Sequence, residues 1–481
     1  MTDSLRKETV KGVAWSSVDR FASGGIQFLA NIILARLLSP NDFGLVAVIA
    51  IFIQISQVFI DSGFSNALIQ KKDRSQTDYS TVFIFNLILS VCFYLLLFLG
   101  SPSIAHFFGK QELTSLTRIV GLNLVIGALT SVHKTKLTIE LRFKIQAVIT
   151  LIATVISAVF SIYMAYHGFG VWSLVLLTLI NTGIQVILIY ACIKWKPTLS
   201  FSKKSFYQLF SYSSKLLGAS MIHLLYRNIY PIVIGKKFST TDLGYFNRAD
   251  TYAMYPSSTI SGIISRVAFP IFSRIQDDNE RLSKAYSKYI IFSSLLIFPI
   301  MTGMIVLAEP LTLLILTESW LPMVPMLQIL CIDWMSDHLC QINLNVLYVK
   351  GRSDLALRLE VIKKTLAIVI FFISLYWGII GVCWGRVIYG FFAVYFNSFY
   401  TKKMIGISQW QQVKDITIPL VESCFMGLIV WLFLRLETGI YIQVICGILI
   451  GIISYPIIIY ATQKSYFQEI KQIIINIRIH K

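Results

Sequence analysis

Charge is scarce in this sequence, and acidic charge is scarcer still. Only 14% of its 481 residues are charged, 42 of them basic and 24 acidic. A soluble chain of this length would divide into several domains with far more polar surface, so that class is excluded. Cysteine is thin as well. The seven cysteines (Cys92, Cys192, Cys331, Cys340, Cys383, Cys424 and Cys446) lie in or beside apolar runs, and none forms a CxxC pair. That spacing argues against a disulfide framework and against a zinc site, leaving small apolar packing residues. No P-loop, GxSxG or HExxH signature is present, so no soluble-enzyme chemistry is indicated and ATP-driven transport would need a partner protein. Long polar segments are missing too. Connections between apolar runs stay under roughly 20 residues, too short for an extramembrane domain. The N-terminal "MTDSLRKETVKG" lacks a short apolar core and a small-residue cleavage site, so a cleaved signal peptide is not expected.

What the chain does have is apolar length. Hydrophobic residues make up 56% of it, and mean hydropathy is +0.70. Runs of roughly 20 apolar residues, enough to cross a ~30 Å hydrocarbon core, recur from end to end. The expected fold is an all-α polytopic membrane protein with about 14 transmembrane helices: 13–35, 43–61, 80–100, 113–133, 146–166, 171–193, 213–235, 245–269, 287–308, 323–349, 357–377, 380–400, 414–434 and 440–461. With both termini cytoplasmic, inner connections hold 31 of the 42 basic residues and outer ones only Arg36, Lys110, Lys236, Lys237 and Arg435. That positive-inside bias alternates at every crossing. It also accounts for the net charge of +18 without nucleic acid, because the basic residues are dealt out loop by loop. Anionic lipid on the cytoplasmic leaflet is a sufficient partner for them.

The chain repeats itself. "LLSPNDFGLV" (37–46) places Ser39, Asp42 and Gly44 where "KFSTTDLGYF" (237–246) places Ser239, Asp242 and Gly244. In each, the serine suits a helix N-cap and the aspartate its first turn. "ALIQKKD" (67–73) answers to "SRIQDDN" (273–279), and "YHGFGVW" (166–172) to "YWGIIGVCW" (376–384). Three matches in order, at offsets of 200, 206 and 210 to 212, indicate a duplication of six spans. Six is even, so the copies run in the same direction, as in transporters that rock two lobes about a central site. The expected domains are 1–200 (spans one to six), 201–405 (spans seven to twelve) and 406–481, where spans thirteen and fourteen read as an appendage with a cytoplasmic tail.

Six arginines remain after the connections are counted: Arg20, Arg118, Arg227, Arg248, Arg266 and Arg386. Arg118 stands near a span end and can snorkel. A charge near the bilayer centre costs at least ~2.5 kcal/mol, so it faces a partner or water. Acidic residues at similar depth are Asp19, Asp250, Asp333, Asp337 and Glu360, with His223 and His338 nearby. One reading is structural pairing, Asp19 with Arg20 and Arg248 with Asp250. Helical neighbours one or two apart do not face each other, which weakens it. The other reading is a cationic, water-filled cavity for an anionic cargo, since forked guanidinium groups suit phosphate. Its candidate lining is Arg20, Arg227, Arg248 and Arg266, with Asn31, Asn228, Asn247 and Tyr252 meeting diphosphate or sugar. Gln27, Tyr226, Tyr230 and Tyr245 accompany them. An interfacial aromatic belt or plain packing explains the tyrosines equally well. Asp19, Asp250, Asp333 and Asp337 are candidates for ion coupling, Asp333 and Asp337 sharing a face at i,i+4. Gly24-Gly25 and Pro231 are positions where spans one and seven could bend.

The strings "FGLVAV" (43–48), "DSGFSNALIQKKD" (61–73), "LGYFNRADTYAMYP" (243–256), "FPIFSRIQDDNERL" (269–282), "WLPMVPMLQIL" (320–330) and "VKGR" (349–352) resemble those of bacterial Wzx-type polysaccharide transporters, in the colanic acid exporter branch of the MOP superfamily. The resemblance runs over residues 1 to about 405. It implies two six-helix lobes in a V shape and a non-enzymatic flippase in the bacterial inner membrane. The implied cargo is an undecaprenyl-diphosphate-linked oligosaccharide for O-antigen, capsule or exopolysaccharide synthesis. It further implies diphosphate binding by cationic cavity residues, Arg248 in "YFNRAD" being the best positional match, with proton or sodium coupling and no other cofactor. A monomer working beside a glycan polymerase and chain-length proteins is the expected arrangement. Two alternatives stay open: a MATE-like ion-coupled exporter of small molecules, which would want an acidic cavity, and a membrane enzyme of glycan assembly, which would want a large outer loop.

Overall fold

A computed structural model describes residues 15, 18–61, 63–71, 73–198, 200–436, 438–464 and 468; within it, side chains at 212, 215–216, 218–220, 222–223 and 225–227 are outside the described set. Among the described residues there is no strand. The helices are α1 (Gly24–Leu37), α2 (Pro40–Asp61), α3 (Phe64–Gln70), α4 (Gln76–Phe108), α5 (Glu112–Ile139), α6 (Phe143–Tyr166), α7 (Trp172–Cys192), α8 (Lys203–Lys237) and α9 (Thr240–Arg274). They continue as α10 (Asn279–Val306), α11 (Ala308–Ile315), α12 (Val324–Met335), α13 (Asp337–Val349), α14 (Ser353–Ser374), α15 (Gly378–Ile405), α16 (Gln409–Leu434) and α17 (Ile440–Thr462). The all-α polytopic class read from the sequence holds. Nine stretches among the described residues are long and apolar enough to cross a membrane, one of them the 53-residue run Ser353–Ile405 that contains both α14 and α15. Helices α1, α8, α9, α12 and α13 fall outside that set; among them, α8, α9, α12 and α13 carry Arg227, Arg248, Asp250, Arg266, Asp333 and Asp337. Expected span ten is two helices, α12 and α13, joined at Ser336.

The chain divides into two compact units, Met1–Gly244 and Tyr245–Lys481. In the first, α8 packs against α2, α3 and α4. Its core gathers Phe64, Leu68, Val82, Phe83, Val132, Ile149, Ile189 and Leu209 from six helices, with Trp195 from the connection after α7. Phe64 follows Gly63, whose φ of 74° takes the left-handed region and turns α2 into α3. The Phe64 ring then meets Phe85, Phe206 and Phe210 at 5.1, 5.8 and 6.2 Å. Helix seams hold fully buried Ser80, Ser90, Ser101 and Ser161, while Leu96, Leu99, Val159 and Ile187 face outward, 63%, 74%, 62% and 69% exposed. Large apolar side chains outside and small polar ones inside are the pattern of helices packed in lipid, where close backbone approach replaces hydrophobic drive. A π-helical turn, Asp19–Ser23, ends directly before Gly24, so span one departs from regular helix beside the expected flexible pair.

The repeated turns meet within this unit. Ser39 and Asp42 cap α2 reciprocally: the Ser39 Oγ donates to Asp42 Oδ2 at 2.8 Å, and the Asp42 N–H points back to Ser39 Oγ at 3.3 Å. Ser239 and Asp242 repeat this for α9 at 2.7 and 2.9 Å. Thr240 Oγ1 donates to Asn41 Oδ1 at 2.6 Å. A Cβ on Gly44 would stand 1.6 Å from the Thr240 carbonyl oxygen, and one on Gly244 would stand 2.1 Å from that of Pro40. Residues 40 and 240, and 44 and 244, are repeat counterparts, so the two first turns cross reciprocally, backbone against backbone. Glycine is required at both because no side chain fits the crossing.

In the second unit, Ala268 and Phe272 of α9, Leu282, Tyr286 and Ile290 of α10, Leu339, Ile342 and Val346 of α13, and Ile405 of α15 form one core. A buried polar knot ties it: Asn343 Oδ1 accepts from Tyr286 at 2.8 Å and from Thr401 at 2.5 Å, and Asn343 Nδ2 donates to Gln412 Oε1 at 3.2 Å. The sequence suggested that the last two spans are an appendage. Instead α16 lies along α10 and α17 along α16, inside the same unit. The reason is small residues at the seams. A Cβ on Gly427 would reach 2.6 Å from Thr302, and one on Gly447 would reach 2.8 Å from Leu307.

Candidate functional site

The charges of the second unit converge on Arg386 of α15. Its Nη1 donates to Asp250 Oδ1 on α9 at 2.6 Å, and its Nη2 to Asp333 Oδ2 on α12, also at 2.6 Å. The guanidinium fork is thus split between two carboxylates on two further helices. Trp334 Nε1 donates to the same Asp250 Oδ1 at 2.8 Å, and the guanidinium carbon lies 5.7 and 6.0 Å from the Trp334 and Phe246 ring centroids. Side-chain exposures of 16% for Arg386, 28% for Asp250 and 12% for Asp333 leave the cluster largely, though not wholly, enclosed.

Local sequence explains the approach. Gly390, one turn beyond Arg386, lets α15 come so close to α12 that a Cβ there would sit 3.0 Å from Ser336 Oγ and 3.3 Å from Asp333 Oδ1. At Ser336 the α12 ladder tightens, its N–H and Oγ both reaching the Asp333 carbonyl at 3.1 and 2.8 Å. Ser257 of α9 donates to the Trp334 carbonyl at 2.7 Å. Two carboxyl groups thus face one guanidinium, and Asp337 stands one turn away from Asp333. Asp337 Oδ2 accepts from Gln341 Nε2 at 2.9 Å. His338, fully buried, meets Ser294 Oγ through Nε2 at 3.0 Å.

Set against these contacts, the residues singled out in the sequence separate. Asp250 and Asp333 are brought together, and by Arg386. Asp250 takes its ion pair from α15 rather than from Arg248, two positions away on its own helix. Asp333 and Asp337 share a face only across the Ser336 junction and take different partners. Arg248, half-buried on α9, neighbours the Tyr252 hydroxyl one turn on. Asn247 and Arg266 are exposed. Tyr245 donates to the Ser319 carbonyl at 2.9 Å. In the first unit, Asp19 accepts from Ser23 Oγ at 3.1 Å within the π-helical turn and Arg20 is exposed. Asn31 and Asn228 each spend their amide on their own helix, donating to the Gln27 and Leu224 carbonyls at 2.8 and 3.0 Å. The side chain of Arg227, like those of His223 and Tyr226, lies outside the described residues. Arg386 and Trp334 are what the sequence reading did not select. The signal for Arg386 was present, an arginine deep in span twelve; only its partners were distant.

Residues 33–325, more than half of the chain, match the family described as polysaccharide biosynthesis protein. The succinoglycan biosynthesis transport protein ExoT of Rhizobium meliloti is 26% identical over 485 residues, covering 98% of this chain and 96% of ExoT. The lipopolysaccharide biosynthesis protein WzxC of Escherichia coli is 26% identical over 367 residues, 76% of this chain and 75% of WzxC. Among solved structures, the lipid II flippase MurJ in an inward closed conformation matches with a TM-score of 0.75 at 17% identity, over 94% of this chain and 99% of MurJ. An inward-facing MATE transporter of the MOP superfamily matches with a TM-score of 0.59 at 15% identity, over 82% and 99%. The structural likenesses define the fold, and the family match defines the lineage: this multi-pass membrane chain belongs to the polysaccharide biosynthesis protein family.

Proposed function

We propose that the protein is a flippase that carries an undecaprenyl-diphosphate-linked oligosaccharide from the cytoplasmic to the outer leaflet of the bacterial inner membrane, by alternating access, for O-antigen, capsule or exopolysaccharide synthesis. The observation that carries this reading is the near full-length similarity to a succinoglycan transport protein, in a chain with five arginines inside its expected spans one, seven, eight and twelve. Arg20, Arg227 and Arg248 neutralise the diphosphate, with Arg266, Asn31, Asn228, Asn247 and Tyr252 beside the cargo, while the lipid tail stays in the bilayer. Guanidinium groups hold phosphate by paired, permanently charged donors. The termini are cytoplasmic, and the protein acts as a monomer beside a glycan polymerase and chain-length proteins. It performs no bond chemistry of its own.

Coupling belongs to the second unit in this reading. Asp250, Asp333 and Asp337 outnumber Arg386, and uncompensated negative charge at membrane depth favours a proton or sodium ion. Asp19 is the corresponding acidic group in span one. Arg248→Ala in a strain whose surface glycan depends on this gene should abolish the glycan while the protein stays in the membrane. Normal glycan in that strain would overturn the assignment. A MATE-like exporter would instead confer resistance to cationic drugs, and a glycan-assembling enzyme would make polymer as a purified protein.

A further inference from the structure

A second polar system runs through the first unit, apart from every residue assigned above. Asn123 of α5 donates to Thr178 Oγ1 of α7 at 3.0 Å. Asn181, almost one turn further along α7, donates to Ser157 Oγ of α6 at 3.2 Å. Gln185 Nε2 donates to Asn181 Oδ1 at 2.6 Å, and Lys134 Nζ of α5 donates to Gln185 Oε1 at 2.6 Å. The first and last rungs bridge α5 and α7, and between them the row runs along α7, from residue 123 to 134 of α5, about 16 Å at 1.5 Å per residue.

Lys134 reads from the sequence as a loop charge, because expected span four ends at 133. In the structure α5 continues to Ile139, so Lys134 is a helical residue, and its side chain is exposed. Among the described residues no carboxylate lies within 4.0 Å of its ammonium; Asp61, held by Gln57 at 3.2 Å, and Asp19 act on it from further away. A row of half-buried amides that ends in an exposed ammonium would be costly against lipid tails. The open side of the seam therefore faces water. The chemistry of the row is mixed: amide donors and acceptors, one ammonium and a nearby carboxylate. Carboxylates repel phosphate, whereas this mixture matches vicinal hydroxyls, each of which both donates and accepts.

We propose that the α5–α7 seam is a saccharide track, in which Asn123, Asn181, Gln185 and Lys134 exchange their mutual hydrogen bonds for those of sugar hydroxyls on the cargo. The inference rests on the flippase reading and assigns the sugar to different residues from the diphosphate.

The test uses the full-length protein in nanodiscs, with two probes: bare undecaprenyl diphosphate, and the same lipid carrying an oligosaccharide. Wild type should bind the glycosylated lipid about tenfold more tightly, a ratio that measures hydroxyl recognition. Asn181→Leu with Gln185→Leu should bind the two lipids equally, with affinity for the bare lipid unchanged. Because that pair can also loosen the seam, Asn181→Ser serves as a second variant, still polar but too short to span from α7 to α6, and should cut the ratio in the same direction. Variants that keep the wild-type preference, or a wild type without one, would overturn the saccharide track and leave the flippase reading standing. A wild type that binds neither lipid would overturn the flippase reading itself.

Discussion

Arg386 joins three helices of the second unit. Its two ion pairs at 2.6 Å tie α15 to α9 and α12. Removing one partner of an enclosed ion pair leaves a charge uncompensated, at about 3–5 kcal/mol. Arg386→Ala should therefore lower the thermal unfolding temperature of the purified protein sharply. Adding Asp250→Asn and Asp333→Asn to Arg386→Ala should recover most of the loss, since the charges vanish together. Failure of that rescue would mean that the cluster's stability comes from packing around Trp334 rather than from charge. Arg386→Lys is not conservative here, because one ammonium cannot reproduce a fork shared between two carboxylates.

At the scale of elements, the crossing of the α2 and α9 first turns is the tightest contact described. Gly44→Ala or Gly244→Ala places a methyl group within 1.6 or 2.1 Å of a carbonyl oxygen. The turns must then part, at a cost of about 1–3 kcal/mol or more by analogy with overpacked cores. A lowered unfolding temperature and reduced surface glycan should follow for both variants, and Gly262→Ala, where a Cβ meets nothing within 4 Å, is the control. In a background without the native cysteines, Asn41→Cys with Thr240→Cys should crosslink under mild oxidant; absence of a crosslink would show that the turns do not meet.

For the whole molecule, the placement of basic residues makes a topological prediction. With both ends cytoplasmic, a fluorescent protein fused after Lys481 should fluoresce and alkaline phosphatase fused there should be inactive. The opposite pattern would overturn the cytoplasmic assignment of the C-terminal end.

Much of this was legible in one dimension, because membrane insertion reads local properties. Apolar length, charge at the connections and the repeated SPNDFG and STTDLG turns are each contained in a few neighbouring residues, so the all-α polytopic class followed from the chain alone and the expectation of a duplication came with it. Even the capping roles of Ser39 and Ser239 are local, set by residues three apart. What the sequence could not decide is partnership. Asp250 sits two residues from Arg248 yet pairs with Arg386, 136 positions away; Lys134 sits at a span boundary yet joins Gln185 on another helix; and the last two helices, outside the repeat, are held to α10 by glycines that no periodicity marks. Ion pairs and close approaches depend on which helix faces come together, and only tertiary packing settles that.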